Sequence, residues 1–526
     1  MKSFFRQSLL GGISTTLLLA ISGNYAAAEP RRGGEVVYLQ SSFPPCLDVS
    51  QSARAQNATR QALDTLLDQD KNTGEVLPWL ATDWGYEDAG RKLLLTLRKD
   101  VTFSNGERFD AVAVKANLDK LWELAQAGQA SQALSYLSGY EGADVLADDK
   151  IAIHFKEAKA GFLQALTEKT LAPLAPETLS RTPEERCAGA LIGTGPFVIS
   201  NVIKNDRIEL SRRDDYNWSS SNALHNGPAY LNRISIRTVS EGSVRVGALL
   251  SGQAQIIDEP PTDDLDRIKA QGAKIVARTA GGVGITLYPN IAHSVLSDEA
   301  VRRAFQKGID RKEIVEALYS EYDTPSTSIL SSTVPGQVDL GSLLKYDPEE
   351  ASSILENAGW VRGVDGVRAK DGNRLAIEVL WSFPGYTSTL ELAREQLKPI
   401  GIELVLNQRP DSEIGGLTRE GKYQLRLSDL TRPDPDVLNS VFGGTKNSAN
   451  FVPVPEINEL LSAQSKILDF EKRAESVRKV QQLILEKGYA FPIKESVTIL
   501  ATSPKISDAW LSTPRWPVLY DTWLAE

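Results

Sequence analysis

The sequence predicts an α/β protein built from two or three packed domains. Short runs in which apolar residues alternate with period two are interleaved with stretches where they recur at helical spacing, the pattern of strands alternating with helices. At 526 residues the chain is longer than one hydrophobic core serves. No internal repeat or low-complexity segment breaks the alternation.

The N-terminus carries Lys2 and Arg6, an apolar run around Leu17, Leu18, Leu19 and Ile21, and Ala26-Ala27-Ala28 just before Glu29-Pro30. These are the three regions of a secretory signal peptide spanning residues 1–28, too short and wrongly flanked for a stable membrane span. An uncleaved membrane anchor is the alternative. No cysteine lies near the cleavage point, so a lipid anchor is not expected there. Cleavage after Ala28 would take the formal net charge from -10 to -12 by removing Lys2 and Arg6. That acidity disfavours nucleic acid and anionic membrane surfaces as partners. No second apolar stretch is long enough to cross a bilayer.

The elements follow in order. Gly33-Gly34-Glu35-Val36-Val37-Tyr38-Leu39 reads as a first strand running into the loop Pro44-Pro45-Cys46-Leu47-Asp48, and residues 57–68 read as a helix. Leu93, Leu95 and Leu97 alternate with Leu94, Thr96 and Arg98 as a strand after the turn residues Asp88-Ala89-Gly90. Asn105-Gly106 marks a tight turn, and Asp110 caps a helix with Val114, Leu118, Leu121 and Trp122 at helical spacing. A strand over 149–155, a helix and loop over 158–186 and the turn Gly193-Thr194-Gly195-Pro196 come next. Strands are expected at 207–218 and 233–239, a helix at 241–251, then Gly252-Gln253-Ala254-Gln255-Ile256-Ile257 and the strand ending Leu287-Tyr288-Pro289-Asn290. A capped helix opens at Ser297-Asp298-Glu299-Ala300-Val301-Arg302-Arg303, and Tyr346-Asp347-Pro348 precedes Ala358-Gly359-Trp360. Helices over 389–399, 455–468 and 471–487 and a strand over 402–406 complete the series.

Leu77-Pro78-Trp79-Leu80-Ala81, the strand ending Leu97-Arg98-Lys99-Asp100-Val101-Thr102-Phe103-Ser104-Asn105-Gly106, and Phe109-Asp110-Ala111 before a helix resemble the peptide/nickel/opine-type extracellular solute-binding proteins of bacterial ABC importers (family 5). The Val-Arg-Arg-Ala string at 301–304 with Ile309-Asp310-Arg311, and the Tyr346 to Trp360 segment, extend the resemblance from about Gly33 to the C-terminus. It implies a two-lobed periplasmic-binding-protein fold of cluster C type with an extra subdomain in the first lobe. The implied boundaries are 29–75 and 195–284 for the first lobe, 76–194 for the extra subdomain, 285–491 for the second lobe and 492–526 for a return to the first. The crossovers at 285–290 and 488–493 would form the hinge. The implied function is capture of a small solute, peptide-like or another small organic and in one reading anionic, and its delivery to an inner-membrane ABC permease by a periplasmic monomer. The rivals are a periplasmic hydrolase acting on peptides or glycans, and a sensory adaptor that binds without transport.

By the same resemblance the ligand-lining residues are Phe43, Pro45, Thr194, Tyr288, Asn290, Trp381, Tyr386, Asp429, Thr431, Arg432 and Asp434. Trp381, Phe383 and Tyr386 read equally as an aromatic wall or as packing at a strand end. Aligned from Asp434, the peptide-binding relatives' ammonium-binding aspartate corresponds to Thr431 and their tryptophan to Ser428. That departure argues against ordinary peptide capture, with a shifted Asp429 as the alternative ammonium partner. Arg432 is a candidate contact for an anionic group, or else the partner of Asp434 or Asp436 on its own loop.

Catalytic constellations are missing from the sequence. It holds no Gly-x-Ser-x-Gly, His-Glu-x-x-His, Cys-x-x-Cys or complete phosphate loop, and Asp214-Asp215 and Asp263-Asp264 point apart as sequence neighbours. His154, His225 and His293 are scattered singly, which argues against a bare metal site and a cofactor, while a metal in an organic chelator stays open. Cys46 and Cys187 are the sole cysteines of an exported chain and are expected to form a disulfide, with two buried thiols as the alternative.

Overall fold

The computed structural model describes residues 29–52, 55–443 and 453–525; the expected leader, residues 1–28, lies outside the described residues. The first lobe is centred on the strand Glu35–Gln40. Its period-2 pattern divides it between two cores. Val36 and Tyr38 face the core shared with the extra subdomain, while Leu39, with Val37 packed beside it, faces the helices Gly242–Leu250 and Leu265–Ala270. It pairs in parallel with Arg233–Thr238 and Ile256–Asp258, in a seven-stranded sheet completed by Phe197–Ile203, Arg207–Arg212, Val497–Thr502 and Lys274–Thr279.

Between Glu35–Gln40 and its neighbour Arg233–Thr238 the chain builds an antiparallel four-stranded sheet, in the order Ala81–Glu87, Lys92–Leu97, Lys150–Phe155, Tyr140–Ala147. Leu93, Leu95 and Leu97 are buried in the same core as Val114, Leu118 and Leu121 of the helix Ala111–Gln126, whose first turn is closed by the Asp110 carboxylate accepting from the Ala113 N–H. That core is continuous with the first lobe.

The second lobe carries a five-stranded sheet, in the order Glu403–Gln408, Ala376–Trp381, Leu425–Thr431, Gly282–Pro289, Phe491–Lys494. It is apolar on both faces. Ile377, Val379 and Leu425 belong to one core, and Val283 and Tyr288 to the other, beneath the helices Pro455–Ser465 and Phe470–Glu486.

Two segments join the lobes, and they run side by side. Lys274–Thr279 belongs to the first sheet and Gly282–Pro289 wholly to the second, so the first crossing is residues 280–281. Phe491–Lys494 and Val497–Thr502 place the other at 495–496, and the Ala280 N–H donates to the Ser496 carbonyl at 2.8 Å. The expected crossovers at 285–290 and 488–493 are displaced because both stretches are already interior to the second lobe. The expected helix over 57–68 also contracts, to Gln56–Thr59, and the chain then turns into the strand Leu67–Gln69.

Cys46 and Cys187 form the disulfide, with Cα atoms 4.2 Å apart. The Leu47 N–H donates to the Cys187 carbonyl beside it, which fastens the loop after the first strand to the helix Pro183–Cys187. The Gly-Thr-Gly turn has a definite cause. A Cβ on Gly193 or Gly195 would lie 2.3–2.4 Å from the backbone of Ala62, against which Gly195 makes a hydrogen bond of 3.0 Å.

Candidate ligand-binding cleft

Three parallel strands of the second lobe, Ala376–Trp381, Glu403–Gln408 and Leu425–Thr431, end on one edge, and Thr431 pairs with Gly282 immediately after the crossing. Their C-terminal loops therefore face the first lobe, the usual place for ligands in α/β sheets. Between the loop after Thr431 and the extra subdomain lies a narrow cleft lined by Tyr136, Lys159, Gln164, Glu168, Arg432 and Asp434. A second cavity, beneath the short strand Trp510–Leu511, is lined by Arg60, Asp64, Lys169, Trp79 and Tyr216.

Arg432 is buried, donates to Ser440 Oγ at 2.6 Å and lays its guanidinium over the Tyr136 ring at 4.5 Å, reaching from one lobe to the other. Its Nε has no hydrogen-bond partner. The loop carboxylates are engaged elsewhere. Asp434 takes two bonds from Arg473, at 2.8 and 2.5 Å, and Asp436 accepts from Gln464. Pairing of Arg432 with either acid on its own loop is thereby replaced. Opposite it, Gln164 Nε2 and Glu168 Oε1 are buried without partners. Burial pushes the Glu168 carboxyl up, against the pull of Arg60, Arg432 and Lys169. Lys159 spends its ammonium on the Ser135 and Ser138 carbonyls.

Behind this wall sits a buried charge cluster. Burial pushes the Asp64 carboxyl up and the Lys169 ammonium down, each restrained by the other. Lys169 donates to the Leu63 carbonyl and lies over the Trp79 ring at 4.4 Å.

The residues expected from sequence divide into those the fold brings to the cleft and those it does not. Arg432 and Asp434 face it. Asp429 and Tyr386 lie at the edge of the same interlobe seam, where Asp429 approaches Arg515 at 3.4 Å and Ser496 at 3.3 Å. Tyr386 packs edge-on to Phe383, which is exposed. Thr431 ends its strand opposite Gly282, Phe43 packs on the first-lobe core, and Pro45 is exposed in the first loop.

Four expected contacts are corrected by burial. Thr194 is fully enclosed, its hydroxyl donating to Asp64 and its carbonyl accepting from the Trp218 indole. Tyr288 sits in the second-lobe core against Phe442, and Asn290 bonds the Gly421 and Tyr423 carbonyls; both lie at the end of their strand away from the crossing. Trp381 is buried in the other core of that lobe. Sequence reasoning missed Tyr136, Gln164, Glu168 and Arg60. The available signal was Glu168-Lys169, a charged pair inside the apolar stretch from Phe162 to Leu174.

The lobes also touch directly. The Ala160 N–H donates to the Ser465 carbonyl at 2.8 Å, and Glu157 pairs with Lys466 at 3.0 Å. A Cβ on Gly161 would stand 3.0 Å from Asp434 Oδ1 and 3.3 Å from Arg473 Nη2. The loop 157–161 of the subdomain thus clasps the turn 465–468 of the second lobe.

Two α/β lobes joined by paired crossings, with a polar cleft between them, define a solute-binding protein of the two-lobed periplasmic type, cluster C. Residues 75–450 match the bacterial extracellular solute-binding proteins, family 5 (middle region), and the chain belongs to that family. It is 28% identical over 363 residues to the nickel-binding periplasmic protein of Escherichia coli (strain K12), spanning 66% of each chain. It is 23% identical over 469 residues to the glutathione-binding protein GsiB of Salmonella choleraesuis (strain SC-B67), spanning 85% of each. The solved structure of NikA from Brucella suis in complex with Fe(III)-EDTA superposes with a TM-score of 0.80 at 21% identity, covering 93% of this chain and 100% of that one. These relatives are binding proteins, and no described helix is long and apolar enough to cross a membrane.

Proposed function

We propose that this protein is the periplasmic substrate-binding component of an ABC importer. It closes around a small organic solute bearing an anionic group and delivers it, chemically unchanged, to an inner-membrane permease. It is exported by a signal peptide cleaved near Ala28 and acts as a monomer without a cofactor. Arg432 carries this reading. A buried guanidinium beside the cleft, with a partnerless Nε and both loop acids otherwise engaged, calls for an acceptor from the solute. Arg60, with a partnerless Nη1 electrostatically coupled to Glu168, adds positive potential from the first lobe.

The test starts from native mass spectrometry of the protein purified from periplasm, which identifies the solute held. Isothermal titration with that solute should then show Arg432→Ala weakening binding by about 2–4 kcal/mol. Unchanged affinity would remove Arg432 from the site.

A further inference from the structure

Resting on that reading, we propose that Glu168 is the specificity-determining residue of the cleft: its partnerless oxygen takes an N–H donor of the solute, an amide or an ammonium, beside the anionic group that Arg432 holds. The assignment follows from accounting for every carboxylate that lines the cleft. Asp434 is saturated by Arg473 and also accepts from the Asp436 N–H at 2.7 Å. Asp436 accepts from Gln464 and from the Asn439 amide. Among the cleft-lining carboxylates, Glu168 alone has a buried oxygen without a partner. The residue is 5% exposed, and its backbone is fixed by a hydrogen bond from its own N–H to the Ala165 carbonyl. The cations around it, Arg60, Lys169 and Arg432, favour its ionised form without satisfying that oxygen. Lys159, the other cation lining the cleft, is turned to backbone carbonyls.

A buried acceptor left unpaired is costly, and a donor that satisfies it is selected strongly over an isostere lacking the hydrogen. Four residues before it, Gln164 presents a partnerless Nε2, which can donate to a carbonyl next to the same N–H. The cleft therefore offers an anion contact from the second lobe, and an acceptor and a donor from the first. A solute with an N–H group close to its acid satisfies all three.

The test uses a defined pool in place of the natural solute. An N-acetylated α-amino acid, the free α-amino acid and the O-acetylated α-hydroxy acid of the same side chain are mixed at equal concentration with solute-stripped protein. Retained masses are read by native mass spectrometry. The wild type should retain an N–H-bearing acid over the ester by about tenfold to a hundredfold, the range of a hydrogen bond to a charged group. Which acid dominates tells amide from ammonium. Glu168→Gln keeps a neutral carbonyl acceptor but loses the charge, so it should lower that ratio about threefold to tenfold, while its melting temperature without solute holds or rises because a buried carboxylate has been neutralised. A residue with only a structural role would instead lower the melting temperature and leave the ratio intact.

Equal retention of the ester by the wild type, an undiminished ratio in Glu168→Gln, or retention of none of the pool overturns the proposal. The Arg432→Ala variant separates this from the broader reading. If it releases the periplasm-derived solute while Glu168→Gln does not alter selection, anion capture stands and the role of Glu168 falls.

Discussion

Arg432 and Glu168 stand out as candidate site residues only after their neighbours have been accounted for. From sequence, Arg432 sat among three aspartates and had an equal claim to pairing within its loop. The fold hands Asp434 to Arg473, thirty-nine residues further along the chain, and leaves the guanidinium against Tyr136 of the opposite lobe. Arg432→Lys should recover only part of the affinity lost in Arg432→Ala, since an ammonium lacks the planar fork, and titration of both variants with the co-purified solute reads the difference.

A second residue-scale outcome concerns Asp258, at the cleft end of its strand. Burial drives its carboxyl up to about 8, with Glu259 adding to the rise and Arg245 opposing it. The folded state thus holds a proton that the unfolded chain releases near pH 4. Stability contributed by this group is present at low pH and is lost as pH rises from about 4 to about 8, by up to about 1.4 kcal/mol per pH unit. Urea melts across that window should show Asp258→Asn with a flatter pH profile than the wild type. Parallel profiles would contradict the assignment.

The clasp between 157–161 and 465–468 belongs to the scale of elements, because it ties two loops that no strand or helix connects. Its ion pair is exposed and contributes little, so close backbone approach at Gly161 carries the contact. Gly161 has φ of -75°, which any residue adopts, so Gly161→Val strains no local backbone. It should nevertheless hold the lobes apart, weakening solute binding about tenfold at an unchanged melting temperature; calorimetry with scanning fluorimetry checks both. An unchanged affinity would mean that the clasp does not contribute to closure. The disulfide acts on another element, the loop after the first strand. It links residues 141 apart, so replacing both cysteines by serine should lower the unfolding free energy by about 4–5 kcal/mol, seen as a fall in the urea midpoint with a steeper slope, because the unlinked denatured chain exposes more surface.

Elements with their own local logic were readable in advance. The strand Lys92–Leu97 shows its alternation, Asp110 caps as its position foretells, and Asp298 accepts the Ala300 N–H where a capped helix was expected to open; that helix was expected to run on to Val315, but it stops at Lys307 and Asp310 caps a separate one. The crossings fall at 280–281 and 495–496, outside the expected 285–290 and 488–493, because Gly282–Pro289 is buried on both faces and reads in sequence as a strand of either lobe. Ala280-Gly281-Gly282 was the overlooked break. Tyr136, Gln164 and Glu168 escaped for a different reason. They come from the subdomain, and their convergence on Arg432, 264 to 296 residues further along the chain, is tertiary.

For the whole molecule, the two crossings at 280–281 and 495–496 are short, adjacent and bonded to one another, so the lobes can rotate about them with little cost to either sheet. A solute that touches Arg432 on one lobe and Glu168 on the other binds the closed arrangement better than the open one, and it shifts the population by that difference. Small-angle scattering with the co-purified solute tests this most directly when the solute is recovered afterwards and weighed. Closure without chemistry predicts a smaller radius of gyration in the loaded protein and a solute returned at its original mass. An unchanged radius at saturation, or a cleaved or altered product formed over multiple turnovers, would contradict it.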